Sequence, residues 1–147
     1  MLKKLEEKIH LEIPLTKYMQ IKIDKMDETS FYTSAPLLPN INDKGTGFAG
    51  SLGTLVTISA WSLCYLKAKE LGFDNCMIAI IKSDISYRAP VTKDMICQTL
   101  IPSEEQLHLL ENKLKDEKSG SIKIESKIIQ DDKICVEFKG VYVIKIL

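Results

Sequence analysis

The sequence predicts an α+β fold in which an antiparallel sheet of about six strands wraps around one long central helix. Polar and apolar residues alternate in several runs, as they do in half-buried strands, and short turns connect most of these runs. One segment, residues 45–66, contains no charged residue and is long enough to form a buried helix. One sheet around one apolar helix is the simplest arrangement that buries both, and the length of 147 residues predicts a single domain over residues 1–147.

The N-terminal part of the chain predicts a short helix followed by two strands. Leucine and isoleucine residues lie at helical spacing within residues 2–13, and Pro14 is expected to end this helix. Apolar residues then alternate with polar ones over residues 19–24, which predicts a half-buried strand. A second strand, rich in Thr, Phe and Tyr, is expected over residues 29–35 and ends at Pro36.

The central helix is expected to span residues 48–71 after a loop over residues 40–47, and Gly72 is a suitable residue to terminate it. A segment this long and apolar also raises the hypothesis of a membrane span. Seven of the 19 residues from 48 to 66 are Gly, Ser or Thr, which dilutes the hydrophobicity. If this helix were inserted into a lipid bilayer, the apolar faces of the strands would have no core to pack against. We therefore expect a soluble fold without a membrane span.

The C-terminal half predicts one charged surface helix and four strands. The helix is expected to begin after Ser103, its N-cap, because Gln106 stands at the position that completes a capping box. It is expected to extend to about Lys115. The strands are expected over residues 75–87, 95–101, 121–130 and 133–146, the last two joined by a turn at the Asp131-Asp132 pair.

The composition argues against several classes of partner. Twenty Lys and Arg residues balance 20 Asp and Glu residues, so no basic face is expected and nucleic acid is set aside. The four cysteines form no Cys-x-x-Cys pair and have no His close in sequence, which favours buried thiols in a reducing compartment over a zinc site or disulfides. We therefore expect no metal site. The N-terminus lacks the apolar region of a secretory signal, so a cytoplasmic location is expected.

Four of the seven glycines lie between Gly45 and Gly53, at the start of the central helix. The six residues from Gly45 match G-x-G-x-x-G, but no buried strand precedes them, and we reject a dinucleotide site. The first N–H groups of a helix have no internal acceptor and carry the positive end of its dipole. The amides of Ala49, Gly50 and Ser51 can therefore hold a carbonyl oxygen as negative charge develops on it. The alternative is a tight loop that only packs the helix end against the sheet.

Two segments resemble motifs of a known family. Residues 42–50, Asn-Asp-Lys-Gly-Thr-Gly-Phe-Ala-Gly, resemble the N-x-x-G-T-x-H-G-G loop of hotdog-fold thioesterases, and residues 86–91, Ser-Tyr-Arg-Ala-Pro-Val, resemble their Y-x-x-P-V strand end. The wider run of residues 39–52 is similar to the thioesterase domain at the C-terminus of YiiD-type proteins, in which an apolar residue replaces the His of other hotdog enzymes.

The resemblance implies a hotdog fold and a homodimer with active sites at the subunit seam, with a tetramer as a further possibility. It implies acyl-CoA or acyl-carrier-protein thioesters as substrates, so that coenzyme A belongs to the substrate and no separate cofactor is expected. Asn42 would lie near the thioester, and the amide of Ala49 or Gly50 would bind its oxygen. Arg88 and its neighbours would lie near the pantetheine or phosphate end. We further expect contacts with the substrate from Gly45, Thr46, Phe48, Ser51, Trp61, Tyr87, Arg88 and Pro90.

The chain departs from the motif where the family carries its acid–base groups. Phe48 replaces the His, and the helix carboxylate nine residues later falls on Thr57. Asp43, beside Lys44, is the best-placed carboxylate and can activate water as a general base, or it can simply hydrogen-bond its own loop. Thr57 can orient the water. Trp61 either lines an acyl pocket or packs in the core.

Three functions remain open at this point. The first is a thioesterase in which Asp43 helps water to attack and the helix amides hold the oxyanion. The second is a non-catalytic module that binds acyl-CoA or lipid and has lost the base. The third is a dehydratase or hydratase on the same fold, which is weakened because His10 and His108 lie on predicted surface helices away from the loop.

Overall fold

The structure, a computed structural model, describes residues 1–147 and contains one six-stranded antiparallel sheet. The strands are β1 (Lys22–Met26), β2 (Ser30–Ala35), β3 (Cys76–Tyr87), β4 (Met95–Leu100), β5 (Ser119–Gln130) and β6 (Lys133–Ile146). Their order across the sheet is β1-β2-β4-β5-β6-β3. The predicted α+β class and the predicted number of strands are confirmed.

Four α-helices accompany the sheet. They are α1 (Leu2–Glu12), α2 (Pro14–Tyr18), α3 (Ala49–Glu70) and α4 (Glu104–Glu117), and a short 3₁₀ turn covers Leu38–Asn40. By length and composition α3 is apolar enough to cross a membrane. In this fold it lies against five of the six strands, with half of its residues buried, and so forms the centre of the core.

Two N-terminal features add to or differ from the sequence-based prediction. The first helix ends at Glu12, before Pro14 as predicted, but Pro14 then occupies the first position of a second helix, α2, where its missing N–H is not needed. The first strand begins at Lys22 rather than at residue 19, because the backbone N–H of Ile21 donates to the carbonyl oxygen of Thr16 at 3.0 Å and keeps the preceding residues in a turn.

Several local signals are confirmed by the geometry. Gly72 follows α3 with a φ of +93°, a conformation that favours glycine. At α4 the Ser103 hydroxyl accepts the N–H of Gln106 at 3.2 Å, and the Gln106 side chain accepts the N–H of Ser103 at 3.1 Å, which completes the capping box. Asp131 and Asp132 have φ values of 51° and 62°, as in a two-residue hairpin turn.

Buried hydrogen bonds hold α3 in the sheet. The fully buried Tyr142 donates from its hydroxyl to the carbonyl oxygen of Thr57 at 2.7 Å. The hydroxyls of Thr33 and Ser59 lie 2.6 Å apart, also inside the core. Such bonds are costly to break because either partner would be left unsatisfied away from water. They fix α3 against β2 and β6.

All four cysteines are free, and three of them are buried. Burial raises the pKa of the Cys64 thiol to about 12, and burial also raises the pKa of the Cys97 thiol. Cys76 is only half-buried, which differs from the prediction of four buried thiols, and burial with the charge of Asp74 raises its pKa as well.

The two edges of the sheet differ in how they are covered. At the β1 edge, the Glu6 carboxylate of α1 accepts the N–H of Ile23 at 2.8 Å. His10 Nε2 lies 2.7 Å from the carbonyl oxygen of Ile21, so this imidazole is anchored to the strand rather than freely solvated. At the opposite edge, the twelve-residue strand β3 pairs only with β6, and its Ile81 is 62% exposed.

Candidate active site at the start of α3

Helix α3 begins with three backbone amides that have no acceptor. Its N-cap Phe48 is extended, with φ −69° and ψ 130°, and offers no side-chain cap. The N–H of Phe48 donates to the carbonyl oxygen of Asn40 at 2.8 Å, and the first intrahelical bond runs from Leu52 to Phe48 at 2.9 Å. The intervening N–H groups, those of Ala49, Gly50 and Ser51, hydrogen-bond to nothing in the protein. They form a cluster of free donors at the positive end of a 22-residue helix.

The loop before the helix is held by Asn42. Its Oδ1 accepts the N–H groups of Lys44 at 2.8 Å and Thr46 at 3.1 Å, and its Nδ2 donates to the Thr46 hydroxyl at 2.9 Å. Gly45, with a φ of +77°, closes the turn. Asn42 thus shapes the loop that leads into α3, and its side chain also lines the cleft beside it. Contact with a thioester stays a prediction.

The ring of Phe48 lies over Gly50. A Cβ built on Gly50 would clash with Phe48 Cε2, so only glycine leaves room for the ring in this position. Phe48 is 52% exposed and stands where the family motif has His. It brings an apolar surface, and no proton donor, to the free amides.

Two clefts meet at the start of α3. The first has a volume of about 310 Å³ and the second about 430 Å³. Ala49 and Tyr87 line both clefts. The first is completed by Asn42, Thr46, Gly47, Leu52, Arg88, Ala89, Pro90 and Val91, and the second by Ile13, Thr16, Gly50, Gly53, Thr54, Thr57, Ile58 and Ile85.

Tyr87 stands between the two clefts. Its hydroxyl lies 3.4 Å from the carbonyl oxygen of Ala49, and a Cβ on Gly53 would lie 3.2 Å from the same hydroxyl. The phenol therefore reaches across from the end of β3 to the first turn of α3. A groove of about 560 Å³ between α4 and β5 is larger, but charged side chains line much of it and no free helix amides open into it.

Four of the eight predicted binding residues, Thr46, Tyr87, Arg88 and Pro90, line the clefts, whereas Gly45, Phe48, Ser51 and Trp61 do not. Arg88 lines the first cleft, but its Nη2 also makes an ion pair with Glu137 Oε2 at 2.7 Å. Trp61 lies outside the lining of both clefts: its Nε1 donates to the carbonyl oxygen of Ile78 at 3.1 Å, and its ring stacks on Tyr65. Of the two interpretations of Trp61, packing against its neighbours is what the contacts show.

Asp43 is exposed and lines neither cleft. Lys44 Nζ lies 3.0 Å from its Oδ1, and this hydrogen bond, with the lysine charge, holds the pKa of the Asp43 carboxyl below its ordinary value. A lower pKa keeps the carboxylate ionised but makes it a weaker base. No carboxylate or imidazole lines either cleft, and no three His, Cys, Asp or Glu side chains are grouped to hold a metal ion.

Sequence analysis missed part of the second cleft. Gly53 and Thr54 lie three and four residues after Gly50 and four and three residues before Thr57, so all four share one face of α3. This stripe of small residues could have indicated a cleft along that face. Ile13, which lies between α1 and α2, and Thr16, in α2, reach the cleft only through the fold. No local pattern indicates them.

Comparisons with known proteins agree with this geometry. Residues 2–146 match the model of a family described as "Putative thioesterase (yiiD_Cterm)". The chain is similar to a crystal structure described as a "putative thioesterase from Shewanella oneidensis", with 31% identity, coverage of 97% of this chain and 95% of that one, and a TM-score of 0.88. It is also similar to a protein of unknown function from Chlorobaculum tepidum, with 30% identity, coverage of 97% and 93%, and a TM-score of 0.92.

A more distant likeness supports the fold alone. A thioesterase from Haemophilus influenzae shares 12% identity, coverage of 100% of this chain and 92% of that one, and a TM-score of 0.70. The observed sheet around a long central helix is the hotdog fold that the sequence resemblance implied.

Replacing Lys44 with alanine should raise the pKa of Asp43 towards 3.8, because the lysine supplies the largest influences that lower it. A pH titration followed by NMR of the carboxyl carbon measures this change directly. Lys115→Ala, which removes a lysine from α4, is the control and should leave the titration of Asp43 unaltered. An equally low pKa in the Lys44→Ala protein would show that the ion pair is not its cause.

Proposed function

We propose, because this chain belongs to the family described as "Putative thioesterase (yiiD_Cterm)", that it hydrolyses acyl thioesters of coenzyme A or of an acyl carrier protein. The observation that carries the proposal is the trio of unpaired amides at Ala49, Gly50 and Ser51, which stand at the meeting point of two clefts. Free amides at a helix start are suited to an oxygen that becomes negatively charged.

The reaction that this site supports is attack of water on the thioester carbonyl carbon. A new C–O bond forms, the C–S bond breaks, and the proton lost by the water passes to the departing thiolate, so that a carboxylic acid and a thiol result. During attack the carbonyl oxygen becomes an oxyanion, which the α3 amides and the helix dipole stabilise. The ring of Phe48, which lies over Gly50, adds an apolar surface beside this point.

The two clefts supply places for the two halves of the substrate. In the proposed binding mode the pantetheine arm occupies the first cleft, with Arg88 towards its phosphate end. The acyl group enters the second cleft, whose lining includes Ile13, Ile58 and Ile85. Coenzyme A is then part of the substrate, and the reaction draws on no separate cofactor.

Activation of the water is assigned to Asp43 in this proposal, with Thr57 orienting the water from the second cleft. One observation favours a second function, a non-catalytic module that binds acyl-CoA: neither cleft is lined by a carboxylate or an imidazole. The two functions share the amides and the clefts. The two functions differ in whether the protein hydrolyses the thioester that it binds.

We also propose a soluble, cytoplasmic homodimer. An uncovered, twelve-residue edge strand with exposed isoleucines is a template for pairing with another chain, and β3 is such an edge while α1 covers the other. Pairing through β3 would place the two copies of the second cleft close to the seam, since Ile85 and Tyr87 belong to this strand. The free cysteines fit a reducing compartment.

The substitution Ala49→Pro removes the backbone N–H donor of Ala49 and should disturb the structure of α3 little. Proline suits the first position of a helix, and Phe48 already has the extended conformation that a following proline requires. If this N–H holds the oxyanion, kcat for acyl-CoA hydrolysis should fall by about 10²–10³ while KM changes little.

The matched control is Glu104→Pro, which places proline at the first position of α4 after the similarly extended Ser103. It should keep the activity of the unaltered protein. A kcat for Ala49→Pro equal to that of this control would contradict the oxyanion assignment.

The role of Asp43 is tested by Asp43→Asn, which removes the charge and keeps the shape. If Asp43 is the general base, kcat should fall by about 10², the low end of the usual range, because its lowered pKa makes it a weak base. Asp131→Asn serves as the control, because Asp131 is also exposed and ion-paired, with Lys93 at 2.9 Å. Release of free thiol reports hydrolysis, and calorimetry reports binding. Tight binding of acyl-CoA by the unaltered protein with no thiol released would establish the binding module instead.

The dimer is tested by Ile81→Lys, which puts a charge on the open edge of β3 and should block pairing. Light scattering at micromolar concentration should show a dimer for the unaltered protein and a shift towards monomer for the variant. Leu38→Lys, at a position that is 80% exposed in the 3₁₀ turn, should remain dimeric. A monomer in the unaltered protein would refute the dimer.

A further inference from the structure

A pocket separate from the two clefts lies between the first half of α1 and the last two turns of α3. Its volume is about 280 Å³, and it shares no lining residue with either cleft. Lys4 and Lys8 reach it from α1, and Lys69 reaches it from α3. No Asp or Glu lines it. Three cationic side chains from two helices therefore converge on one concavity, which we call the lysine pocket.

The lysine pocket also has an apolar surface. The buried side chains of Leu5 and Leu66 line it together with the ring of Tyr65. This ring stacks on Trp61 with a centroid separation of 5.8 Å and an angle of 10°, which restricts its orientation. The pocket therefore combines an apolar surface that is held in place by packing with cationic groups on long side chains.

Two of the three ammonium groups lie over the same ring. Lys8 Nζ is 5.4 Å and Lys69 Nζ is 5.6 Å from the ring centroid of Tyr65. Both distances are within the range in which a cation is attracted to an aromatic face. Lys8 also pairs with Glu12 at 2.6 Å, whereas Lys4 and Lys69 make no ion pair in the protein. Two positive charges at the pocket thus have no carboxylate in contact.

We propose that the lysine pocket binds a small amphipathic anion, a carboxylate or phosphate group carried on a straight apolar chain. The anionic group contacts the ammonium groups of Lys4 and Lys69. The chain covers Leu5, Leu66 and Tyr65. Charge complementarity selects the head group, because an anion is attracted by all three lysines and a cation is repelled by them. The apolar surface selects the chain, because each methylene removed from water improves binding about fourfold.

The volume of the lysine pocket determines the size of the ligand. A water-sized group occupies about 30 Å³, so about 280 Å³ holds about nine such groups. This corresponds to a carboxylate with a chain of about eight carbons. A longer chain would extend into water. The inference goes beyond the proposed function and does not depend on it, because no residue of this pocket is assigned to hydrolysis.

The experiment titrates octanoate, butanoate, hexyl phosphate and octanol into the protein at neutral pH and follows the backbone amide signals by NMR. Octanoate should shift the signals of residues 4–8 and 65–69 and bind at least about tenfold more tightly than butanoate, which has a shorter chain. Octanol, which has the chain without the charge, should bind about fivefold more weakly than octanoate. Added salt should weaken the binding of octanoate and leave that of octanol unchanged. Whichever of octanoate and hexyl phosphate binds more tightly identifies the head group.

Substitutions at the two unpaired lysines test the role of charge. Lys4→Gln and Lys69→Gln each remove one charge at an exposed position, where folding should be little affected. Each should raise the Kd of octanoate about threefold to fivefold, and the double variant should raise it about tenfold or more. The Kd of octanol should stay within about twofold. Lys22→Gln is the matched control, because Lys22 in β1 is also exposed and makes no ion pair, and it should leave both Kd values unchanged.

The outcomes separate the lysine pocket from the second cleft. Octanoate that shifts only signals of residues 50–58 occupies the second cleft, which would overturn this inference and leave the proposed function intact. Absence of octanoate binding, equal affinity for octanoate and octanol, or a Kd that the lysine variants leave unchanged would overturn it as well. Absence of thiol release from every acyl-CoA would contradict hydrolysis alone, because the test of the lysine pocket measures binding.

Discussion

Enclosure of α3 by the sheet determines where its unpaired amides emerge. The hydrogen bonds from Tyr142 to Thr57 and between Thr33 and Ser59 are buried, so the helix cannot slide or rotate without leaving polar groups unsatisfied. The loop held by Asn42 then brings the chain into the helix at Phe48 in an extended conformation. The donors at the start of α3 are therefore placed by the core and by the loop that the Asn42 side chain holds.

The residues at positions 48 and 57 determine which physical effect the proposed site can use. A His and a helix carboxylate would supply proton transfer, whereas Phe48 and Thr57 supply apolar cover and a hydroxyl. Electrostatic stabilisation by preorganised amides is commonly the largest single contribution to acyl-transfer catalysis. In the proposed function, the three unpaired amides at the start of α3 are the groups that would supply it. Asp43 has a lowered pKa and an exposed position, so it suits a modest contribution to proton transfer better than a dominant one.

Local sequence patterns predicted the features that depend on neighbouring residues. The capping box at Ser103, the glycine after α3 and the Asp131-Asp132 turn each follow from the chemistry of a few adjacent positions. Features that depend on distant contacts were not accessible. That a second helix begins at Pro14 depends on the turn that follows it, and the indole of Trp61 is held by Ile78, seventeen residues away in another element. Several residues that line the clefts at the start of α3, among them Asn42, Tyr87 and Arg88, were named from the family resemblance. Ile13 and Thr16 were not, because they reach the second cleft only through the folded chain.

The burial of the cysteines has a consequence for a protein that would release thiols. Mixed disulfides form when a thiolate attacks a disulfide sulfur, and the fraction of thiolate falls as the pKa rises. The thiol of Cys64, with a pKa of about 12, and that of Cys97, enclosed by core hydroxyls, are protonated and out of reach. If coenzyme A is released, as in the proposed function, its oxidised form would find no partner in the interior, and the core would keep its packing when the redox state of the surrounding thiol pool changes.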